Sequence, residues 1–185
     1  MKRCCLIILL LLPMLSAADT IRERPAQWAQ PVINTTISNC YRVSGDVYRA
    51  EQPVQKDIPD LKKLKIRTLL NLREYHSDDE VFRHSGLRLM RLPLAAGSLA
   101  SSDLISALKM VREAEKPVLI HCWHGSDRTG FVVAGYRIVF QSWTREEAIE
   151  EMRLGGFGYH ADVYPNMVKT LSELDVESVR KSVLE

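Results

Sequence analysis

The chain has 185 residues, enough for one domain with a sizeable core. Hydrophobic residues make up 46% and charged residues 26%, an ordinary globular balance without repeats or low-complexity tracts. Twenty-five Lys and Arg stand against 23 Asp and Glu, and this near-balance gives no support for a nucleic-acid partner, which usually demands a basic face.

At the N-terminus, Lys2 and Arg3 precede an apolar run from Cys4 to Leu15 that only Pro13 interrupts. Ser16-Ala17-Ala18 follows as a small-residue cleavage pattern. Residues 1–18 therefore read as a secretory signal peptide, too short for a comfortable membrane span. The competing reading is an uncleaved anchor; Cys4 and Cys5 come too early for a lipid-attachment site. Loss of the leader removes Lys2 and Arg3, leaving 23 bases and 23 acids, and only two cysteines, Cys40 and Cys122. Export implies an oxidising compartment, where two cysteines could pair.

Residues 19–38 hold two prolines and little periodicity, and read as an extended lead-in. Tyr41–Val43 and Val47–Ala50 alternate around Ser44-Gly45-Asp46, a hairpin pattern. Apolar Ile58, Leu61 and Leu64 predict a helix over 57–65. Ile66–Leu72 is a buried strand, His76–Ser85 a short polar helix closed by Gly86, and Leu87–Leu92 a strand stopped by Pro93. Ser101 and Ser102 offer caps for a helix carrying Leu104, Ile105, Leu108 and Val111. Pro117–Ile120 is a short apolar strand, and Thr129–Phe140 a buried helix. Thr144 opens the next helix, with Glu147 completing a capping box. Gly155-Gly156-Phe157-Gly158 ends it, and two amphipathic helices fill 160–184. Strands alternating with helices predict an α/β domain, its central, mostly parallel sheet flanked by helices.

Between the last strand and the buried helix lies His121-Cys122-Trp123-His124-Gly125-Ser126-Asp127-Arg128-Thr129-Gly130. α/β folds bind ligands at such strand ends. A tight loop there can aim successive backbone N–H groups at an anion, and the helix N-terminus adds positive potential. Gly125 permits a backbone conformation closed to other residues. Arg128 can hold two phosphoryl oxygens with its planar fork. The same field favours a thiolate at Cys122, the form that attacks phosphorus. His121 is expected to support the loop. Thr129 either bonds the sulfur or only caps the helix. Trp123 and His124 either line the mouth of the site or are plain surface residues.

The pattern at 121–130 resembles the signature of the protein tyrosine phosphatase superfamily, in its small dual-specificity branch. Arg24-Pro25-Ala26-Gln27-Trp28, Tyr48-Arg49 with Gln52-Pro53, and Gly155-Gly156-Phe157-Gly158 resemble bacterial periplasmic members of that branch. The resemblance covers most of residues 24–175 and places the catalytic domain at 39–185. It implies the dual-specificity-like fold, a phosphocysteine intermediate on Cys122, phosphate held by the 122–128 loop, and neither metal nor organic cofactor. It also implies a periplasmic enzyme acting on phosphotyrosine, with phosphoserine and phosphothreonine as further substrates; the chain is expected to be a monomer. The phosphorylated partner would be a protein, by analogy a membrane-bound one such as a diguanylate cyclase.

One departure stands out. The family takes its general acid, an aspartate, from the loop after the strand ending at Leu92-Pro93, and here that loop reads Leu94-Ala95-Ala96-Gly97-Ser98. Asp127, before Arg128, occupies a position where myotubularin-like lipid phosphatases carry a proposed acid. Asp103 is the other candidate, although a carboxylate in a first helical turn is favourable without catalysis. Two alternatives remain: an inositol-phosphate or phosphoinositide phosphatase, suggested by Asp127 and His124, and a phosphate-binding pseudophosphatase, suggested by the missing acid. Cys40 could pair reversibly with Cys122 and silence it, or simply be buried.

Overall fold

A computed structural model describes residues 24–185; the expected leader, residues 1–18, lies outside the described residues. Six strands form one sheet in the order β1 (Gln30–Pro31), β2 (Tyr41–Arg42), β3 (Val47–Ala50), β6 (Val118–His121), β4 (Thr68–Asn71), β5 (Arg88–Arg91). The last four run parallel, while β1, β2 and β3 pair antiparallel. The sheet is mostly parallel and flanked by helices, as the alternation of elements predicts.

The lead-in is more ordered than its sequence suggests. Gln30–Pro31 pairs with Tyr41–Arg42, and a proline is tolerated there because β1 is an edge strand. Trp28, Ala29 and Ile37 are buried around it.

Alternation along the central strands sorts their side chains to two faces. Val47, Leu70, Val118 and Ile120 join the larger core, packed under α3 (Ser101–Glu113), α4 (Asp127–Phe140), α5 (Arg145–Leu154), α6 (Pro165–Ser172) and α7 (Val176–Leu184). Tyr48, Ala50, Leu69 and Leu119 join Leu61 of α1 (Ile58–Lys63) and Phe82 of α2 (Asp79–Phe82) in a smaller core on the other face. Helix α4 is buried along nearly its whole length.

Several boundaries differ from the sequence reading for local reasons. The helix expected over 57–65 is a 3₁₀ turn at Gln55–Asp57 followed by α1, with Pro59 in its first turn. The polar helix expected over 76–85 shortens to Asp79–Phe82, because the Asp78 side chain is drawn into a buried network. Helix α3 is capped at Ala100 rather than by a serine; the Asp103 carboxylate accepts from Ala100 N at 2.9 Å. Thr144 and Glu147 do form their reciprocal capping box.

Candidate active site

Strand β6 delivers His121 and Cys122 to the carboxyl end of the sheet, and α4 begins at Asp127, two residues before the predicted Thr129. Between them the chain turns tightly at Gly125, whose φ is +71°, and a Cβ there would run into the Ala50 carbonyl at the end of β3. Only glycine adopts this conformation at no steric cost, and only a residue without a side chain lets the strand end approach so closely.

Each carbonyl of this loop has a partner. Cys122 O faces His121 Nδ1 at 3.2 Å, and Gln52 N donates to Trp123 O at 3.2 Å. Asn39 Nδ2 donates to His124 O at 2.8 Å, Arg49 Nη2 to Gly125 O at 2.7 Å, and Gly130 N to Ser126 O at 2.9 Å. Among the described residues, no protein oxygen accepts from the backbone N–H groups of Trp123 through Asp127. Unclaimed backbone donors gathered at a helix N-terminus make an anion-binding site. Cys122 sits within this loop, 2% exposed.

Beneath the loop lies a buried network. His121 Nε2 meets Asp78 Oδ2 at 2.7 Å, and Asp78 Oδ1 accepts from Arg73 Nη2 at 2.8 Å and Asn71 Nδ2 at 3.1 Å. Each ring nitrogen of His121 faces an oxygen, so the ring is fixed at both ends and the strand-to-loop junction with it. Burial lowers the Arg73 guanidinium from its ordinary value, and Asp78 opposes that fall. The guanidinium lies 5.8 Å from the Trp123 ring, which leans on His76 at 5.2 Å.

The Gly155–His160 segment, legible in the sequence only as a helix end, braces the loop from the other side. Phe157 O accepts from Ser126 Oγ at 2.8 Å and from Asn39 Nδ2 at 3.0 Å. The Asp127 carboxylate accepts from His160 N at 2.9 Å and faces His160 Nδ1 at 3.0 and 3.1 Å. Asp127 is therefore held by His160, whose half-exposed ring lies 6.3 Å from that of His124.

Arg128 reaches toward the loop opposite. Its Nη1 donates to Leu94 O at 3.3 Å, while its Nε is buried without a hydrogen-bond partner. Thr129 Oγ1 is likewise buried and unpartnered. Arg128 and Trp123 line a cleft of ≈ 490 Å³ with Arg73, Ala96, Gly97 and Tyr164. Tyr75, 81% exposed, and Trp123, 46% exposed, give its rim an aromatic character.

The turn facing Arg128, Ala96–Ser98, carries no carboxylate. Asp103 is occupied at the start of α3. Glu74 is the one carboxylate among the residues lining the cleft.

Pairing of Cys40 with Cys122 does not survive the geometry. Both are free and buried. Cys40 precedes Tyr41, which lies opposite Arg49, and Ala50 in turn lies opposite His121. Two strand spacings, roughly 9–10 Å, separate the two stretches, beyond the ~7 Å Cα reach of a disulfide. Burial, with Asp60 and Asp57 nearby, also pushes the Cys40 thiol up to about 12.

Comparison with known proteins agrees with this geometry. Residues 35–163 match the model of the tyrosine phosphatase family. The dual specificity protein phosphatase TpbA of Pseudomonas aeruginosa is 36% identical over 152 residues, 80% of this chain and 68% of that protein. Its crystal structure superposes with a TM-score of 0.79 at 33% identity, covering 88% of this chain and 99% of that one. A second TpbA structure, of a cysteine-to-serine variant in complex with phosphotyrosine, superposes at 0.78, covering 86% and 98%. The inositol diphosphatase Siw14 of Saccharomyces cerevisiae is 30% identical over 139 residues, 68% of this chain and 49% of that protein. Its catalytic domain superposes at 0.67, covering 78% of this chain and 90% of that one. With the fold, the cysteine loop and the matched residues in agreement, the chain belongs to the tyrosine phosphatase family.

Proposed function

We propose that this protein hydrolyses phosphotyrosine, and also phosphoserine and phosphothreonine, through a phosphocysteine intermediate on Cys122. The observation that carries the reading is the loop itself: its carbonyls each have a partner, its N–H groups are unclaimed, and Arg128 stands at its end with an unpartnered Nε. Such donors are preorganised for a phosphoryl group and cost no rearrangement when charge develops on its oxygens. The Cys122 thiolate attacks phosphorus and the P–O bond to the substrate breaks. The leaving oxygen takes a proton. Water then cleaves the S–P bond, releasing phosphate and regenerating the thiolate.

Asp127 enters this scheme together with His160. The carboxylate fixes the Nδ1 side of the ring and leaves Nε2 outside that pair, the arrangement by which a carboxylate orients a histidine for proton transfer. Trp123, His124, Gly125 and Ser126 complete the substrate-binding loop, with His121 and Thr129 in support.

Phosphotyrosine is favoured over an inositol phosphate by the aromatic rim and the scarcity of free cations. Arg73 is committed to Asp78, and no lysine lines the cleft, so Arg128 carries most of the anion recognition. The relative TpbA, solved with phosphotyrosine, supports the same choice. Residues 1–18 would export the enzyme to the periplasm, where phosphorylated membrane signalling proteins, such as a diguanylate cyclase, are candidate partners.

The test is hydrolysis of para-nitrophenyl phosphate and of phosphotyrosine, phosphoserine and inositol phosphate substrates, with EDTA present, beside Cys122→Ser. Turnover that vanishes in the variant and is fastest on phosphotyrosine supports the reading. Faster release from inositol phosphates promotes the alternative, and phosphate binding without turnover marks a pseudophosphatase.

A further inference from the structure

Strand β3 places one charged side chain where its neighbours are apolar. Val47 points into the larger core and Tyr48 and Ala50 into the smaller, so Arg49 shares the Val47 side, under α4. It is 1% exposed. Its guanidinium lies 3.6 Å over the Phe157 ring, Nη2 donates to Gly125 O at 2.7 Å, and Nε is buried without a partner.

A buried cation normally has a carboxylate beside it, because an unpaired charge in the interior is costly. Among the described residues, no carboxylate forms an ion pair with Arg49. Glu151, the nearest in effect, is already held by both oxygens on Arg137, at 2.7 and 2.8 Å, and accepts from Ala29 N. Burial pulls the Arg49 guanidinium down to about 10, against the opposing pull of Glu151, Cys122 and Tyr41. In the β3–β6 register Arg49 lies opposite Ile120, two residues before Cys122, and Val47, Ile120 and Cys122 join the same core, so Arg49 is buried on the side of the sheet where Cys122 lies. With Glu151 claimed elsewhere, the negative charge that forms at Cys122 is the one left for it to meet. The Phe157 face adds a further attraction.

We propose that Arg49 is a second cation of the catalytic centre: a positioning residue whose buried charge stabilises the Cys122 thiolate and whose bond to Gly125 O turns the loop N–H groups toward the phosphoryl group. This rests on Cys122 as nucleophile, but its test needs no phosphatase turnover. Arg128 meets the substrate from the cleft; Arg49 acts from the buried side of the loop, through Gly125 O.

The experiment measures alkylation of Cys122 by iodoacetamide, read on the peptide that carries it, in the purified protein with Cys40→Ser, and compares Arg49→Met and Arg49→Lys with that parent. Circular dichroism and a thermal melt establish that each chain is folded. Arg49→Met is expected to react about tenfold more slowly than the parent near pH 6, with the gap narrowing as the pH rises toward about 10 and hydroxide removes the proton that Arg49 no longer helps to displace. Arg49→Lys, which keeps the charge but loses the fork, is expected to stay within about twofold in alkylation while losing phosphatase turnover. Equal alkylation of Arg49→Met and parent at both pH values overturns the proposal, even where turnover falls, because the role is then structural. Should the methionine chain fail to fold, the lysine chain decides: alkylation near the parent supports the proposal, and tenfold slowing overturns it. A parent without phosphatase turnover would sink the enzymatic reading and still report on Arg49.

Discussion

Two loops meet over the cleft, and they are built on opposite principles. The 122–126 loop is over-determined: Gln52, Asn39, Arg49 and Gly130 hold its carbonyls, Phe157 holds Ser126, and the His121–Asp78–Arg73 chain fixes its root. The 94–98 turn is anchored by the buried Leu94 and by Arg128 at Leu94 O and Asn166 at Ala96 O, and offers the cleft small side chains without an acid. A loop that is to recognise negative charge needs rigid donors, and the first loop has them. The second would deliver a proton and has no group to do so. If the first loop carries the chemistry, charge stabilisation is its part, and a proton would have to come from outside the 94–98 turn, from the Asp127–His160 pair.

The comparison breaks most readily at Arg128. If the rigid loop carries catalysis through its donors, losing the planar fork should cost more than any change in the opposite turn. Arg128→Lys is expected to lower kcat/KM on para-nitrophenyl phosphate by about 10³-fold, roughly 4 kcal/mol of barrier. A loss below tenfold would mean that the backbone donors alone hold the phosphoryl group.

The root of the rigid loop is the next place to press. Arg73 and Asp78 are each about 4% exposed at the side chain, and their bond is 2.8 Å. Asp78→Asn leaves Arg73 buried without a carboxylate and takes the charge from beside His121. Breaking a buried pair costs about 3 kcal/mol, which for a chain of this size lowers Tm by roughly 6–12 °C. A thermal melt unchanged within about 2 °C would show that water relaxes into the network and that the loop does not depend on it.

The sequence exposed the rigid loop's chemistry more readily than its support. Cys122, Gly125 and Arg128 are legible because their types and spacing meet a physical need in one short stretch, between a buried strand and a buried helix. Asp78 is not, because nothing in a polar run such as 76–85 marks one carboxylate as buried 43 residues from the histidine it meets. Arg49 and Gln52 sat in a segment matched to the family, but their role depends on β3 lying beside β6, which only the sheet order reveals. Asp127 stood out by its neighbour Arg128, whereas its partner His160 lies beyond a glycine-rich turn that reads as a helix end. Long-range pairs of this kind leave no periodicity. The β1 pairing was hidden for a related reason, a two-residue strand containing proline being too short to show alternation.

The opposite turn yields the smallest effect and separates the two candidate sources of a proton. At Gly97 nothing lies within 4 Å of where a Cβ would stand, so a side chain fits without strain, and the residue lines the cleft opposite Arg128. Gly97→Asp places a carboxylic acid in the loop from which the family resemblance implies a general acid. A para-nitrophenolate leaves readily without a proton, whereas a tyrosine phenolate gains from one, and general acid catalysis at a new, unrefined position should supply the low end of its range. Turnover on phosphotyrosine is expected to rise about tenfold, with para-nitrophenyl phosphate changing less than about twofold. Unchanged phosphotyrosine turnover would mean that protonation is already met, and would place the donor with Asp127 and His160. Combining Gly97→Asp with Asp127→Asn then sharpens the contrast: if the new acid restores what Asp127→Asn removes, the two positions serve the same step from opposite sides of the cleft.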